Sequence, residues 1–228
     1  MEKEETPGLS GNFPFDEMIE RLTRLFPEET APVITRLSRD TNKDPFIILV
    51  GTLLSLRTKD ETTEKVMGIV MPIIKKPLDL IDIPLNELEK LIYPVGFYRN
   101  KAKILKEVAS VIINTYGGLV PDTIDELLQI RGIGRKTANL VVTEGYGKPG
   151  ICVDTHVHRI SNRLGIVSTR NPDRTEEELR KILPRQYWII YNSLLVTFGK
   201  RICTPLSPKC SQCPIEGICG KKGVARSR

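Results

Sequence analysis

Apolar residues recur three and four positions apart along most of the 228-residue chain, and this spacing is typical of amphipathic helices. The segment "RNKAKILKEVASVIINTYGG" is the clearest example, because it ends in a Gly-Gly pair of the kind that closes helices. Asp44 and Pro45 predict another helix start, with an aspartate cap and proline at the first helical position before "FIILVGTLLSL". No alternation of apolar and polar residues indicates strands. We therefore expect an all-α protein of about ten short helices.

Further helices follow from the same spacing and from polar residues that can cap helix starts. They are expected at about residues 16–26, 60–71, 84–92, 122–130, 135–146, 154–164, 174–183 and 187–198. Asp16 is the expected cap of the first of these. Prolines at positions 72, 77, 84 and 94 fall between helical segments as breakers. Residues 1–14 and the basic residues 220–228 are expected to be loose tails.

The charge of the chain is unevenly distributed. The net charge is +6 with a sequence pI near 9.1, and residues 131–228 carry 18 Lys and Arg against 7 Asp and Glu. Residues 1–130 carry 16 against 21. A basic half favours a polyanionic partner such as nucleic acid, although a solvated basic surface gives the same composition.

The N-terminal residues and the hydropathy of the chain predict a cytoplasmic protein. No apolar run is long enough to span a bilayer, and Met-Glu-Lys-Glu-Glu does not resemble a secretory signal. In a reducing compartment, cysteines serve as metal ligands or core residues before they form disulfides.

The segment "RGIGRKTANLVV", residues 131–142, has glycines spaced as in a phosphate-binding turn. A nucleotide-binding P-loop requires G-x-x-x-x-G-K-[ST] after a strand, whereas Gly132 and Gly134 are two apart and follow the helical "DTIDELLQI". A helix, a Gly-x-Gly turn and a second helix fit better. The glycines would permit backbone conformations closed to other residues, and amides at the helix start would favour an anion. The hairpin could hold a DNA phosphate, or it could merely connect two packed helices.

Lys136 falls in the first turn of the helix that follows this hairpin. The positive end of the helix dipole disfavours a charged amine there, and a neutral amine can act as a nucleophile that forms a Schiff base. A surface lysine without a chemical role is the common alternative.

The segment "CVDTHVHR" places Asp154 at the start of a further helix. Aspartate is among the best N-caps, so capping is one role of this residue. A carboxylate that accepts a proton, or that stabilises positive charge on a sugar, is the other. His156 and His158 are too isolated to form a metal site, but His156 could lie near the reacting groups or a phosphate.

Four cysteines near the C-terminus form the pattern C-x6-C-x2-C-x5-C: Cys203, Cys210, Cys213 and Cys219. Structural zinc sites usually have two short C-x2-4-C pairs separated by a longer segment. One C-x2-C pair with more distant flanking cysteines favours a [4Fe–4S] cluster, with zinc as the alternative. Cys152 lies outside the set and is expected to be buried, while Lys209 gives the loop between the first two cysteines a basic residue for phosphates.

In combination and in this order, these elements resemble the endonuclease III family, DNA base-excision glycosylases of the helix-hairpin-helix superfamily. The resemblance runs from about residue 38 to Cys219 through "LLSLRTKD", "VGFYRNKAKIL", "RGIGRKTANLVV", "VDTHVHRISNRLG" and the cysteine set. It implies two helical domains with the lesion-binding cleft between them. One would be a six-helix barrel domain, residues 38–148, and the other an iron-sulfur domain formed by residues 15–37 and 149–219.

The resemblance also implies a bifunctional DNA glycosylase and AP lyase that removes oxidised pyrimidines such as thymine glycol. Lys136 would be the nucleophile, Asp154 its carboxylate partner, and the four cysteines the ligands of a [4Fe–4S] cluster. The DNA contacts would come from Arg57, Phe97, Arg131, Gly132, Gly134, Thr137, His156 and Lys209. The expected partner is double-stranded DNA with a damaged base or an abasic site. A monomer would bind it, associated with the nucleoid in a prokaryote.

Two positions depart from the family pattern. Arg57 stands where many relatives have a Gln that enters the gap left by the flipped base, and an arginine there can also hydrogen-bond the orphaned base. Arg131 stands where bacterial relatives commonly have Pro, and it could add a phosphate contact. Phe97 matches the position of the apolar wedge that relatives insert into the duplex.

Two other functions are weighed against this one. In a monofunctional mismatch glycosylase, water would be the nucleophile; adenine-removing relatives carry Glu near the position of Gly51, and thymine-mismatch relatives commonly replace the lysine with Tyr. The presence of Gly51 and Lys136 disfavours both. A non-catalytic DNA-binding module with structural zinc is the remaining alternative.

Overall fold

Helices make up most of residues 13–228, the part of the chain that this computed structural model describes, and no strand occurs there. The helices are α1 Phe15–Leu25, α2 Val33–Asp40, α3 Pro45–Ser55, α4 Asp60–Val70, α5 Pro77–Asp82, α6 Leu85–Ile92, α7 Tyr98–Tyr116, α8 Ile124–Gln129, α9 Arg135–Leu140, α10 Thr155–Leu164, α11 Pro172–Ile182 and α12 Trp188–Arg201. A π-helical turn, Val141–Gly145, continues α9. The prediction of an all-α fold is confirmed. None of the described helices has the length and apolarity needed to cross a membrane.

Two helices, α2 and α5, are absent from the helices expected from the sequence. The N-cap residues, Pro32 and Lys76, are not of the types that usually start helices. At α5 the carboxylate of Asp79, in the first turn, accepts the backbone N–H of Lys76 at 3.0 Å instead. Pro77, interpreted as a breaker, is the first residue of α5, where its missing N–H and fixed φ suit a helix start. Asp16 lies inside the first turn of α1 and is not its cap.

The expectation of a loose tail at residues 220–228 is wrong. The backbone N–H of Gly220 donates to the carbonyl of Leu164 at 3.1 Å, and that of Arg228 donates to the carbonyl of Pro208 at 3.0 Å. These long-range bonds hold the basic segment against α10 and the cysteine loop, and composition alone does not reveal them. The other expected tail, residues 1–14, lies almost wholly outside the described residues.

One compact unit combines the described residues up to Ala31 with Ile151–Arg228. The apolar faces of α1, α10, α11 and α12 share one core although α1 is far from the others in sequence. Its buried members include Met18, Leu22, Val157, Ile160, Leu179, Tyr191, Leu195, Phe198 and Ile215. The hydroxyl groups of Ser161 and Tyr191 are hydrogen-bonded inside this core at 3.0 Å, so burial of the tyrosine leaves no unsatisfied oxygen.

The second unit, Pro32–Gly150, is built around α3. Nine of the eleven residues of α3 are buried, from Phe46 to Leu54. The side chain of Asp44 caps α3 by accepting hydrogen bonds from the backbone N–H groups of Phe46 and Ile47. Gly51 faces α2 so closely that a Cβ there would lie 2.6 Å from Leu37 Cδ2. Residues 32–37 therefore belong with α3, whereas the sequence placed residues 15–37 in the iron-sulfur domain.

The helical hairpin is formed by α8, a turn and α9. Gly132 has φ +95°, and a Cβ there would lie 2.8 Å from Ile104 Cγ2 on α7. Gly134, at the N-cap of α9, has φ −98° and ψ 172°, which any residue adopts, and nothing lies within 4 Å of a Cβ there. The expectation of a special backbone conformation is therefore confirmed for Gly132 and wrong for Gly134.

Glu144 is a buried carboxylate in the π-helical turn. Its Oε1 accepts a hydrogen bond from the hydroxyl of Thr35 at 2.8 Å, and its backbone carbonyl accepts one from the hydroxyl of Ser38 at 2.5 Å. Burial raises the pKa of Glu144, an effect opposed by the Thr35 hydrogen bond and by the charge of Lys43. This side chain thus joins α2 to the segment that follows α9.

Two alanine substitutions separate the roles of the hairpin glycines. Gly132→Ala forces a non-glycine residue into the left-handed region against Ile104, and we expect it to lower the free energy of unfolding by about 2 kcal/mol. Gly134→Ala meets no steric conflict and should lower it by less than about 1 kcal/mol. Urea unfolding monitored by circular dichroism measures both, and equal losses would contradict the backbone assignment.

The stability of the chain should depend on pH through Glu144. A carboxyl whose folded pKa exceeds its unfolded pKa binds protons more tightly in the folded state. Its protonation therefore stabilises the fold at low pH, and this contribution to the free energy of unfolding is lost as pH rises through the folded pKa. From about pH 4.5 upward, wild type should therefore lose free energy of unfolding relative to Glu144→Gln. Urea unfolding at a series of pH values measures the difference. The exposed control Glu87→Gln should run parallel to wild type, and a parallel curve for Glu144→Gln would refute the prediction.

Candidate functional site

Lys136 is the second residue of α9, directly behind the hairpin turn, and its side chain is half-buried. Arg131 and Gly134 are exposed in the turn itself, so the start of α9 is open to a ligand on the side of the turn. Thr137 is 2% exposed, which argues against a side-chain contact with DNA at that position. The hairpin therefore combines an accessible helix start with an amine in the first turn of the same helix.

Asp154 caps α10, as expected from the sequence. Its Oδ1 accepts the backbone N–H groups of His156 at 2.8 Å and Val157 at 2.9 Å. Both bonds fall on one oxygen, so the capping function does not use Oδ2. The carboxylate is half-buried and held in a fixed orientation. A capping role and a chemical role are therefore compatible in the same side chain.

His156, in the first turn of α10, is oriented by Arg159. The Nη2 of Arg159 lies 3.2 Å from His156 Nδ1 and also donates to the carbonyls of Gly199 at 3.3 Å and Cys203 at 2.9 Å. An arginine can only donate, so Nδ1 is the acceptor and the proton of a neutral ring sits on Nε2. The Nε2–H of this tautomer is the type of hydrogen-bond donor that a phosphate oxygen accepts.

Arg57 and Phe97 form an exposed pair in the unit of residues 32–150. The guanidinium carbon of Arg57 lies 5.7 Å from the ring centroid of Phe97, whose side chain is 64% exposed. Their φ values are +52° and +59°, in the left-handed region that non-glycine residues rarely adopt. Backbone of this kind persists where surrounding contacts fix it and is found at functional sites. Arg57 follows α3 after one intervening residue, Leu56, and Phe97 immediately precedes α7.

The four C-terminal cysteines line one cavity. The apolar part of its wall comes from residues of α10, α12 and the cysteine segment, and Val224 of the C-terminal residues adds to it. Three cations, Arg163, Lys209 and Lys221, also line this cavity. Cys152, outside the set, is buried as predicted.

The surroundings of the thiols fit an iron-sulfur cluster. Burial, together with the neighbouring cysteines, raises the pKa of Cys213 to about 11 and raises that of Cys219. Thiolates would therefore be disfavoured unless a positively charged group bound them. Arg163 Nη1 lies 3.4 Å from Cys203 Sγ, and the backbone N–H of Lys221 lies 3.4 Å from Cys219 Sγ. Such donors stabilise the negative charge on cluster sulfurs.

All four thiols of the set line the same cavity, so one group bound there can reach four cysteine ligands. A [4Fe–4S] cluster takes four thiolates, and the donor set therefore fits it.

Two arginines of this site were not among the residues expected from the sequence. Arg159 and Arg163 lie four residues apart on α10, and the structure directs both toward Cys203. Arg163 also donates to the carbonyls of Thr204 at 2.7 Å and Pro205 at 2.5 Å. An arginine pair at this spacing indicates one helix face in the sequence, but nothing there identifies what the face contacts.

The structure groups the expected site residues by unit. Residues 32–150 hold the hairpin, Lys136, Arg57 and Phe97, whereas the other unit holds Asp154, His156, Lys209 and the cysteines. Gly51, which the sequence analysis used against an adenine-removing function, is packed against α2. A larger side chain there would require the Leu37 side chain on α2 to move.

Comparison with known proteins agrees with these features. Residues 50–185 match the family described as "HhH-GPD superfamily base excision DNA repair protein", and residues 203–219 match the iron-sulfur binding domain of endonuclease III. The chain is 44% identical to endonuclease III of Thermotoga maritima over 217 residues, which cover 92% of this chain and 99% of the relative.

Solved structures with similar folds include a trapped covalent intermediate between endonuclease III and DNA. Its TM-score is 0.79 at 34% identity, covering 91% of this chain and 94% of that one. A thermostable thymine-DNA glycosylase is similar with a TM-score of 0.75 at 25% identity, covering 92% and 98%. Because one family matches more than half of the chain and the Thermotoga relative is aligned over nearly its whole length, the chain belongs to the endonuclease III family of base excision DNA glycosylase/AP lyases, which carry a [4Fe–4S] cluster.

Proposed function

We propose that the chain removes oxidised pyrimidines such as thymine glycol from double-stranded DNA and then nicks the strand 3′ to the abasic site. The observation that carries this proposal is the lysine at the start of α9, directly behind a glycine hairpin, in a member of the endonuclease III family. A monomer is the proposed active form.

In the proposed reaction, the damaged nucleotide is flipped out of the stack. The amine of Lys136 attacks C1′ as the N-glycosidic bond breaks, and the base leaves with the bonding electron pair. Ring opening gives a protonated Schiff base on Lys136. Loss of a C2′ proton then expels the 3′ phosphate by β-elimination, which nicks the strand.

Asp154 has the proposed role of stabilising the positive charge that develops on the sugar. A carboxylate performs this role in glycoside cleavage, where the transition state resembles an oxocarbenium ion. Two backbone amides fix its orientation through Oδ1, so little reorganisation accompanies the charge development. The same carboxylate can accept a proton during elimination.

The DNA backbone is proposed to bind at the hairpin and at two further points. Gly132, Gly134 and Arg131 would meet a phosphate at the start of α9, where amides and the helix dipole favour an anion. His156 would donate from Nε2 to a second phosphate, and Lys209 would add a charge in the cysteine loop. These contacts position the protein without reading sequence.

Arg57 and Phe97 are proposed to enter the duplex at the lesion. Phe97 presents an apolar ring that can fill the space between unstacked bases, and Arg57 can donate hydrogen bonds to the orphaned base.

The [4Fe–4S] cluster would be bound by four thiolates, those of Cys203, Cys210, Cys213 and Cys219. When bound, it would crosslink the C-terminal loops through iron–sulfur bonds.

The Schiff base is tested by borohydride trapping on duplex DNA that contains thymine glycol or an abasic site. Wild type should give a covalent adduct, because borohydride reduces the imine to a stable amine. Lys136→Gln should give none and should release base at least about a hundredfold more slowly. The exposed lysine variant Lys103→Gln serves as control and should trap like wild type. Base release by wild type without any adduct would instead favour a monofunctional mechanism with water as the nucleophile.

The role of Asp154 is tested by Asp154→Asn, which can keep the cap through its amide oxygen but loses the charge. We expect the free energy of unfolding to change by less than about 1 kcal/mol and single-turnover base release to fall by at least about a hundredfold. Asp44→Asn is a matched control, since Asp44 caps α3 with the same pair of backbone bonds. If both variants retained full activity, Asp154 would be a helix cap only.

A further inference from the structure

Lys101 is a buried lysine on α7 that no part of the proposed chemistry uses. Lys101 is only 7% exposed to solvent. The Nζ donates to the carbonyl of Leu54 at 2.7 Å, to the carbonyl of Leu56, and to the hydroxyl oxygen of Thr58 at 3.0 Å. An ammonium group has three N–H donors, and all three have acceptors here.

The acceptors of Lys101 lie at the end of α3, where a helix leaves its last carbonyls without intrahelical partners. A cation at a helix C-terminus is also favoured by the helix dipole. Burial lowers the pKa of Lys101 to about 8, so the group is protonated at pH 7 and can make all three bonds. The segment that leaves α3 and carries Arg57 is thereby fixed to α7.

Thr58 extends this connection to the loop that carries Phe97. Its hydroxyl oxygen accepts both Lys101 Nζ and the backbone N–H of Gly96 at 3.2 Å. The two loops touch at the backbone, because a Cβ on Gly96 would lie 2.7 Å from the carbonyl oxygen of Arg57. The buried ammonium of Lys101 therefore connects two loops through Thr58. Arg57 precedes Thr58 in one loop, Phe97 follows Gly96 in the other, and both have left-handed backbone.

We infer that Lys101 is a positioning residue for lesion recognition: it holds the Arg57 and Phe97 loops in one fixed arrangement, so that the two side chains enter the duplex together. This inference rests on the proposed insertion of Arg57 and Phe97 into DNA. Without Lys101, each loop would be free to relax its strained backbone, and the pair would lose its common orientation. The consequence should be confined to steps in which bases must be displaced.

The variants are Lys101→Met, which keeps the aliphatic stem, and Thr58→Val, which removes only the bridging hydroxyl and keeps the lysine. Lys106→Met is the matched control, because Lys106 also lies on α7 and donates to two carbonyls, those of Leu80 at 2.7 Å and Ile81 at 2.8 Å. Single-turnover strand cleavage is measured on a thymine glycol duplex and on a single-stranded abasic oligonucleotide, in which no base pair has to open.

Lys101→Met and Thr58→Val should each slow cleavage of the duplex by about tenfold or more, because small misplacements of positioned groups have effects of this size. Their rates on the single strand should stay within about twofold of wild type. Lys106→Met should match wild type on both substrates. Retained duplex rates for Thr58→Val and for folded Lys101→Met, or equal losses on both substrates, would overturn the inference.

Fluorescence of 2-aminopurine placed opposite an abasic site reports insertion independently of cleavage. In a Lys136→Gln background, saturating protein should raise the fluorescence as the opposite base unstacks, and the additional Thr58→Val change should reduce that rise. An undiminished rise would count against the inference.

Arg57→Ala and Phe97→Ala distinguish a failure of the positioning role of Lys101 from a failure of the proposed insertion of Arg57 and Phe97. If they slow duplex cleavage and the Lys101 and Thr58 variants do not, only the positioning role fails; if they are also without effect, the proposed insertion fails.

Discussion

The burial of α3 is the constraint on which the unit of residues 32–150 depends. Because nearly every side chain from Phe46 to Leu54 is buried, helices must surround α3, and α2, α4, α7 and α9 with its π-helical turn all pack on it. Lys136 lies in the first turn of one of these helices, Phe97 precedes another, and Arg57 follows α3 itself. The positions of these three residues are therefore consequences of one buried helix.

In the other unit, one helix, α10, positions residues of both the candidate catalytic site and the cysteine cavity. Its first turn holds Asp154 and His156, and its later turns direct Arg159 and Arg163 to Cys203. Its remaining face contributes to the apolar core. The orientation of the carboxylate and the shape of the cysteine cavity thus depend on the same helix packing. A cluster bound by the cysteines would stabilise the helix end opposite to Asp154.

Sequence reasoning succeeded where the signal was local. The caps at Asp44 and Asp154 and the closing Gly117 occur as expected, because each involves bonds between residues close in sequence. It failed for α2 and α5, whose N-cap residues, Pro32 and Lys76, are not of the types that usually start helices. It also failed for Gly134, whose φ is ordinary, and for residues 220–228, which are held by bonds to residues far away in the chain.

The sequence by itself determined the all-α class and the chemical inventory: an amine behind a glycine hairpin, a capping carboxylate and four thiols at a spacing suited to a cluster. Only the tertiary structure decided that Thr137 is buried, that Arg163 reaches Cys203 and that Lys101 joins two loops. The physical reason is the range of the interactions. Periodicity and caps are set within a few residues, whereas the partner of a buried lysine or arginine depends on which helices pack together, and that depends on the whole core.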